Sequence, residues 1–109
     1  MRTDYSEFQP VPADWAVLNT HPHKEPLALD NLLRQSFSPY CPMVRKRVKH
    51  GRRYTDVLRP MFPGYVFVQL APERQMWRPL LSTYGVRRMI RFGERPALLA
   101  DGFVQALRA

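Results

Sequence analysis

The run Pro60 to Leu70, Pro-Met-Phe-Pro-Gly-Tyr-Val-Phe-Val-Gln-Leu, limits the fold more than any other stretch of the chain. Phe62-Pro63-Gly64 forces a tight entry, because proline fixes φ and glycine admits a left-handed or close backbone. Tyr65 to Leu70 then reads as a strand rich in aromatic and β-branched residues. Alternation sends Val66, Val68 and Leu70 to one face and Tyr65 and Phe67 to the other, so both faces are apolar. A half-buried strand keeps one polar face. This one is therefore either central and covered on both sides, or it shows its aromatic side to a partner. Periodicity leaves both readings open.

The rest of the chain arranges itself around that strand. Residues 1–14 carry Pro10 and Pro12, show no period and read as a flexible lead. Trp15 to Asn19 is a short apolar strand, broken by Thr20-His21-Pro22-His23-Lys24. A helix is expected from about Lys24 to Phe37, with Leu29, Leu32, Leu33 and Phe37 on one stripe and Pro26 in its first turn. Ser38-Pro39 ends it. Met43 to Lys49 and Arg53 to Arg59 form a hairpin turning around His50-Gly51. After the central strand, residues 73–82 read as a second short helix with Trp77, Leu80 and Leu81 on its apolar side, although Pro79 opposes it. Gly85 interrupts the chain. Val86 to Phe92 is a last strand, Gly93 and Pro96 make a turn, and Asp101 caps a helix from Gly102 to Arg108. That helix meets the last residue, Ala109, with no glycine or proline stop, so the expectation is that the natural chain continues. The order β-α-β-β-β-α-β-α predicts an α+β fold, an antiparallel or mixed four- to five-stranded sheet flanked by helices.

At 109 residues the chain fits one domain, over 15–109. It has no apolar run long enough for a transmembrane helix and no apolar core of a secretory signal near Met1. The single cysteine, Cys41, fits a reducing compartment and reads as a small buried hydrophobe. The formal charge of +8 is uneven: residues 1–30 carry −3, residues 31–60 carry +7 and residues 61–109 carry +4. Fourteen of the seventeen basic residues are arginine, whose planar fork suits phosphate and stacked bases. A polyanion partner follows from that balance.

An enzyme has little to rest on. His21 and His23 lie beside prolines with no cysteine or carboxylate at ligand spacing, and neither a catalytic triad, a P-loop nor a dinucleotide glycine pattern is present. No metal or cofactor is expected. The basic hairpin is the stronger signal: Arg45, Lys46, Arg47, Lys49, Arg52 and Arg53 fall within nine residues. Arg45 and Arg47 share one face, and Lys46 lies on the other with Val44 and Val48, so the tip projects into solvent. Such a hairpin is either a solvated arm or a phosphate-binding one. Four phosphate contacts would give a log–log salt slope of about −3.6, at roughly −0.9 each, without sequence specificity. Arg87, Arg88, Arg91 and Arg95 form a second basic group. Here Arg87 and Arg91 are expected on one strand face and Arg88 on the other.

Phe62-Pro63-Gly64-Tyr65-Val66-Phe67-Val68 resembles the signature of the N-terminal domain of NusG-type transcription elongation factors. Trp15-Ala16-Val17-Leu18 resembles the first strand of that domain. Gly85-Val86 with Ile90-Arg91-Phe92-Gly93-Glu94-Arg95-Pro96-Ala97 resembles its RfaH branch. The resemblance runs from about Trp15 to the end and implies a ferredoxin-like sandwich that binds RNA polymerase. Two clamp helices of the largest subunit would enter a hydrophobic depression made by Phe62, Tyr65 and Phe67 and lined by Phe92, Val104 and Leu107. The domain would bridge the DNA cleft and suppress pausing. By position, His21, Lys24, Asn31, Thr83 and Tyr84 would meet non-template or upstream DNA. Asparagine stands at 31 and tyrosine at 84 where the RfaH branch carries histidine and arginine. Its His-Thr-Thr-Thr motif is replaced by Met76-Trp77-Arg78-Pro79, so that contact is not expected. Ribosome or termination-factor contacts belong to a C-terminal KOW domain that this sequence does not include. The expected setting is the bacterial cytoplasm. The alternative is a stand-alone single-stranded RNA- or DNA-binding module, whose sheet aromatics would stack on bases.

Overall fold

The computed structural model describes residues 14–70 and 77–108. The expected N-terminal lead, apart from Asp14, and the first half of the expected second helix lie outside these residues.

Strand β1 (Trp15–Thr20) is the spine. It pairs antiparallel with β5 (Tyr65–Gln69), with Val17 opposite Phe67 and Asn19 opposite Tyr65. β5 pairs on its other side with β2 (Ser38–Tyr40), and β6 (Val86–Met89) lies on the far edge of β1, giving the order β2-β5-β1-β6. β9 (Leu98–Leu99) also pairs with β1. All pairs in this five-stranded sheet are antiparallel, and the architecture is α+β.

Helix α1 (Glu25–Arg34) covers one face of the sheet. Its Ala28 and Leu32 join Ala16, Leu18, Val66, Val68, Val86 and Met89 in the larger core, together with Leu80 from a 3-10 helix (Arg78–Ser82). Helix α2 (Asp101–Arg108) covers part of the other face, where Val104 packs with Trp15 and Phe67. The sheet is thus sandwiched, as two apolar faces require.

Four local expectations are corrected. α1 stops at Arg34, before Phe37, because Ser36 takes φ 67° and closes a Schellman motif: Phe37 N–H donates to Leu32 O (3.0 Å) and Ser36 N–H to Leu33 O (2.9 Å). Leu33 accordingly faces solvent at 60% exposure, and Ala28 takes its place in the core. Ser38-Pro39-Tyr40 is an edge strand rather than a breaker, a position where a missing N–H is tolerated. The last strand does not run from Val86 to Phe92. It leaves β1 at Ile90, whose N–H donates to Val17 O, and makes a small hairpin of β7 (Arg91–Phe92) and β8 (Arg95–Pro96). The chain then returns to β1 as β9, with Leu98 opposite Ala16. Asp101 is the first residue of α2, not a flanking cap, and Ala100 O takes the first helical bonds from Phe103 and Val104.

β3 (Met43–His50) and β4 (Arg53–Pro60) pair over eight residues each and, among the described residues, bond to no other strand. Gly51, at φ 62°, opens their two-residue turn, the position where a II′ turn needs glycine. This arm contributes to an elongated shape of 68 × 30 × 26 Å.

Candidate interfaces

Phe62-Pro63-Gly64-Tyr65 is a type II turn: Tyr65 N–H donates to Phe62 O (3.1 Å), with proline second and glycine third at φ 88°. Three groups pin its Gly64 peptide. The buried Glu25 carboxylate accepts from Gly64 N–H (2.8 Å). Gly64 O accepts from Asn19 Nδ2 (2.8 Å) and from Thr20 N–H (2.8 Å). The turn is therefore held against both α1 and β1. Nearby, burial and then the Glu25 charge push the Cys41 thiol up to about 11, so the cysteine stays a neutral core group.

That turn sets the aromatic face. The Phe62 and Phe67 rings lie 6.1 Å apart. Phe67 is 5% exposed and Val104 is fully buried, so both lie inside this chain and back the surface rather than present it. Helix α2 is too short to cover the whole face. Phe62 stays 39% exposed and Tyr65 36%. Leu107 is half-buried beside Trp15 and Phe67, while Phe92 stands exposed on the β7–β8 hairpin and packs in neither core. The half-exposed Phe103, one residue before Val104, escaped the sequence reading; the period of α2 is the signal that marks it as outward. Arg108 closes the covered end, with its guanidinium 4.4 Å from the Tyr40 ring and 5.2 Å from the Trp15 ring.

The arm bears all six expected basic residues, exposed, on a ribbon that also exposes Met43, Tyr54 and Leu58. Its register puts Arg45, Arg47 and Lys49 on one face, opposite Leu58, Asp56 and Tyr54. Lys46 and Arg53 share the other face, and Arg52 is at the turn. The Tyr54 ring sits 5.2 Å from Arg47 and 5.6 Å from Lys49, which spaces two cations that would otherwise repel. Asp56 pairs in register with Arg47 yet forms no salt bridge; among the described residues that distinction belongs to Arg34 and Asp30.

The third expected group divides. Thr83 is buried, and its hydroxyl donates to Pro79 O (3.0 Å) while accepting from Gln35 Nε2 (2.8 Å), so it serves the fold. Asn31 Nδ2 donates to Leu27 O on its own helix. His21, Lys24 and Tyr84 are brought together at one exposed corner: His21 N–H donates to Gly85 O (3.0 Å) and Lys24 N–H to His21 O (3.0 Å). Gly85 lets this corner close, because a Cβ there would lie 2.7 Å from the backbone nitrogen of Ala28.

The expected split between Arg87 and Arg88 is also corrected. β6 is bulged: Met89 pairs with Leu18, Arg88 with Asn19 and Val86 with Thr20, leaving Arg87 as the extra residue. A regular strand would send Val86 and Met89 to opposite faces, yet both are in the larger core. Arg87 and Arg88 are therefore both excluded from it.

No helix among the described residues is long and apolar enough to cross a membrane, and no group of three or more His, Cys, Asp or Glu among them is placed to hold a metal. A family model described as transcription termination factor nusG matches residues 13–108. Two curated proteins, each called a probable malate:quinone oxidoreductase, from Rhodopseudomonas palustris strains TIE-1 and CGA009, are 30% identical over 82 residues. That alignment covers 75% of this chain and 16% of each oxidoreductase, so the chain spans a small fraction of their length.

Proposed function

The chain belongs to the NusG family of transcription factors, and from that premise we propose that residues 15–109 act as the N-terminal domain of an elongation or antitermination factor of RfaH type in the bacterial cytoplasm. The domain docks on the clamp helices of RNA polymerase, bridges the DNA cleft and suppresses pausing. By binding the closed clamp better than the open one, it shifts the clamp toward closure without catalysing a reaction. Arg45, Lys46, Arg47, Lys49, Arg52 and Arg53 on the arm, and His21, Lys24 and Tyr84 at the corner, approach the non-template or upstream DNA.

One observation carries this reading: α2 covers the Trp15 and Phe67 end of the aromatic face and leaves Phe62 and Tyr65 exposed beside it. An apolar rim with a packed base suits entry of a helix. It does not suit the rival function as an open base-stacking sheet, since Phe67 offers no free ring face. A transcription assay that times pausing of purified polymerase with and without this domain tests the proposal. Shorter pauses are expected, and unchanged pausing would count against it.

A further inference from the structure

We propose that the bulged edge of β6 forms a second anion site, separate from the arm, which binds the phosphates of a single-stranded nucleic acid through Arg87, Arg88 and Arg91. The inference rests on the nucleic-acid part of the function proposed above and is independent of its polymerase part.

Three observations combine. First, the bulge breaks the alternation of the strand. With Val86 and Met89 both in the core, the two residues between them are both exposed: Arg88 pairs with Asn19 and Arg87 is the extra residue beside it. Bulges often re-aim side chains in this way. Second, the chain leaves β1 at Ile90, so Arg91 begins a new direction and comes round to the same place. Arg87, Arg88 and Arg91 line a concavity of about 650 Å³ whose other walls are Leu81, Met89, Ile90 and Gly93. No carboxylate lines it, and among the described residues none of the three arginines has an ion-pair partner. Three arginines lining one hollow concentrate positive charge there, which an anion would neutralise. Their planar forks match phosphate oxygens.

Third, an exposed ring lies close to these arginines in sequence. Tyr84 is 76% exposed and sits two residues before β6. A ring for a base beside arginines for phosphates is the arrangement that single strands use, because their bases are free to stack. A duplex, with its bases already stacked, gains nothing from Tyr84.

The test is binding of a fluorescent 20-nucleotide single-stranded DNA, read by anisotropy between about 50 and 200 mM salt. At roughly 0.7 per phosphate contact on a single strand, the triple variant Arg87→Gln/Arg88→Gln/Arg91→Gln should flatten the log–log slope by about 2. The matching lysine triple should keep the slope, and Tyr84→Ala should weaken binding to the single strand but not to a duplex of the same sequence. Each single change, such as Arg88→Gln, should remove about a third of the effect, which guards against misfolding of the triple. If the glutamine triple keeps the wild-type slope while Arg45→Gln/Arg47→Gln/Lys49→Gln loses it, the β6 site is overturned and the arm stands. Displacement of the oligonucleotide by poly-glutamate at equal charge would overturn the choice of ligand and assign the hollow to an acidic protein.

Discussion

The Trp15 indole donates a 2.8 Å hydrogen bond to the Asp101 carboxylate, tying the first strand to the last helix across 86 residues of sequence. This bond holds α2 on the aromatic face. Gln105 Nε2 donates to the same oxygen at 3.2 Å. The Trp15 bond, then that of Gln105, and more weakly the Arg108 charge, hold the Asp101 carboxyl below its ordinary range.

A depressed carboxyl pKa stabilises the fold above the unfolded-state value and loses that contribution as pH falls through the folded-state value. The natural chain should therefore melt higher than Asp101→Asn at neutral pH. The gap should close below about pH 4, the ordinary aspartate range. Thermal melts of both proteins from neutral to acid pH measure this; a gap that persists undiminished at the acid end would refute it.

Phe62→Ala combined with Tyr65→Ala should abolish capture of RNA polymerase while leaving the fold intact, since both rings are more than a third exposed. An anchor of this kind costs about 2 kcal/mol or more, roughly thirtyfold in affinity. Undiminished capture by the double variant, in a pull-down with purified polymerase, would remove the polymerase assignment.

Two glycines with similar backbone signs should behave differently. Gly85 has φ 91° and its added Cβ would meet the Ala28 backbone at 2.7 Å, whereas Gly51 has φ 62° and open space within 4 Å. Gly51→Ala should cost about 1–3 kcal/mol, the backbone strain of a side chain at the first central position of a II′ turn. Gly85→Ala should cost clearly more, because α1 must also shift. At about 4–8 °C per kcal/mol for a domain of this size, calorimetry separates the two readily.

The arm should bind duplex DNA through charge and without sequence preference. Replacing Arg45, Arg47 and Lys49 with glutamine should flatten the duplex log–log salt slope by about 2.7, at roughly 0.9 per phosphate contact. Equal losses on unrelated sequences are expected, because phosphate contacts carry no base information. A slope identical to wild type would leave the arm as a solvated hairpin.

Much of this was legible in the residues themselves. Alternation along Tyr65 to Gln69 identified a strand with two apolar faces, and the structure buries Val66 and Val68 on one face and Phe67 on the other. Proline followed by glycine specified the turn at Phe62. The arm was visible as two extended runs around a glycine, with charge on both faces. These features are local: each follows from φ limits, side-chain period or charge spacing within a few residues.

What the chain kept back was decided by distant packing. Leu33 or Ala28 fits the helix period of α1 equally well, and the position of the sheet chose Ala28. The chain leaves the edge at Ile90 because β1 offers one more free carbonyl, that of Val17, before β9 takes over. Arg87 and Arg88 end outside the core because Val86 and Met89 are both needed within it. Whether Phe67 is surface or core depended on where eight residues at the end of the chain settle, and the Trp15–Asp101 bond sets that place. Local sequence specifies which side chains share a face; the three-dimensional fold alone specifies which part of that face is already occupied.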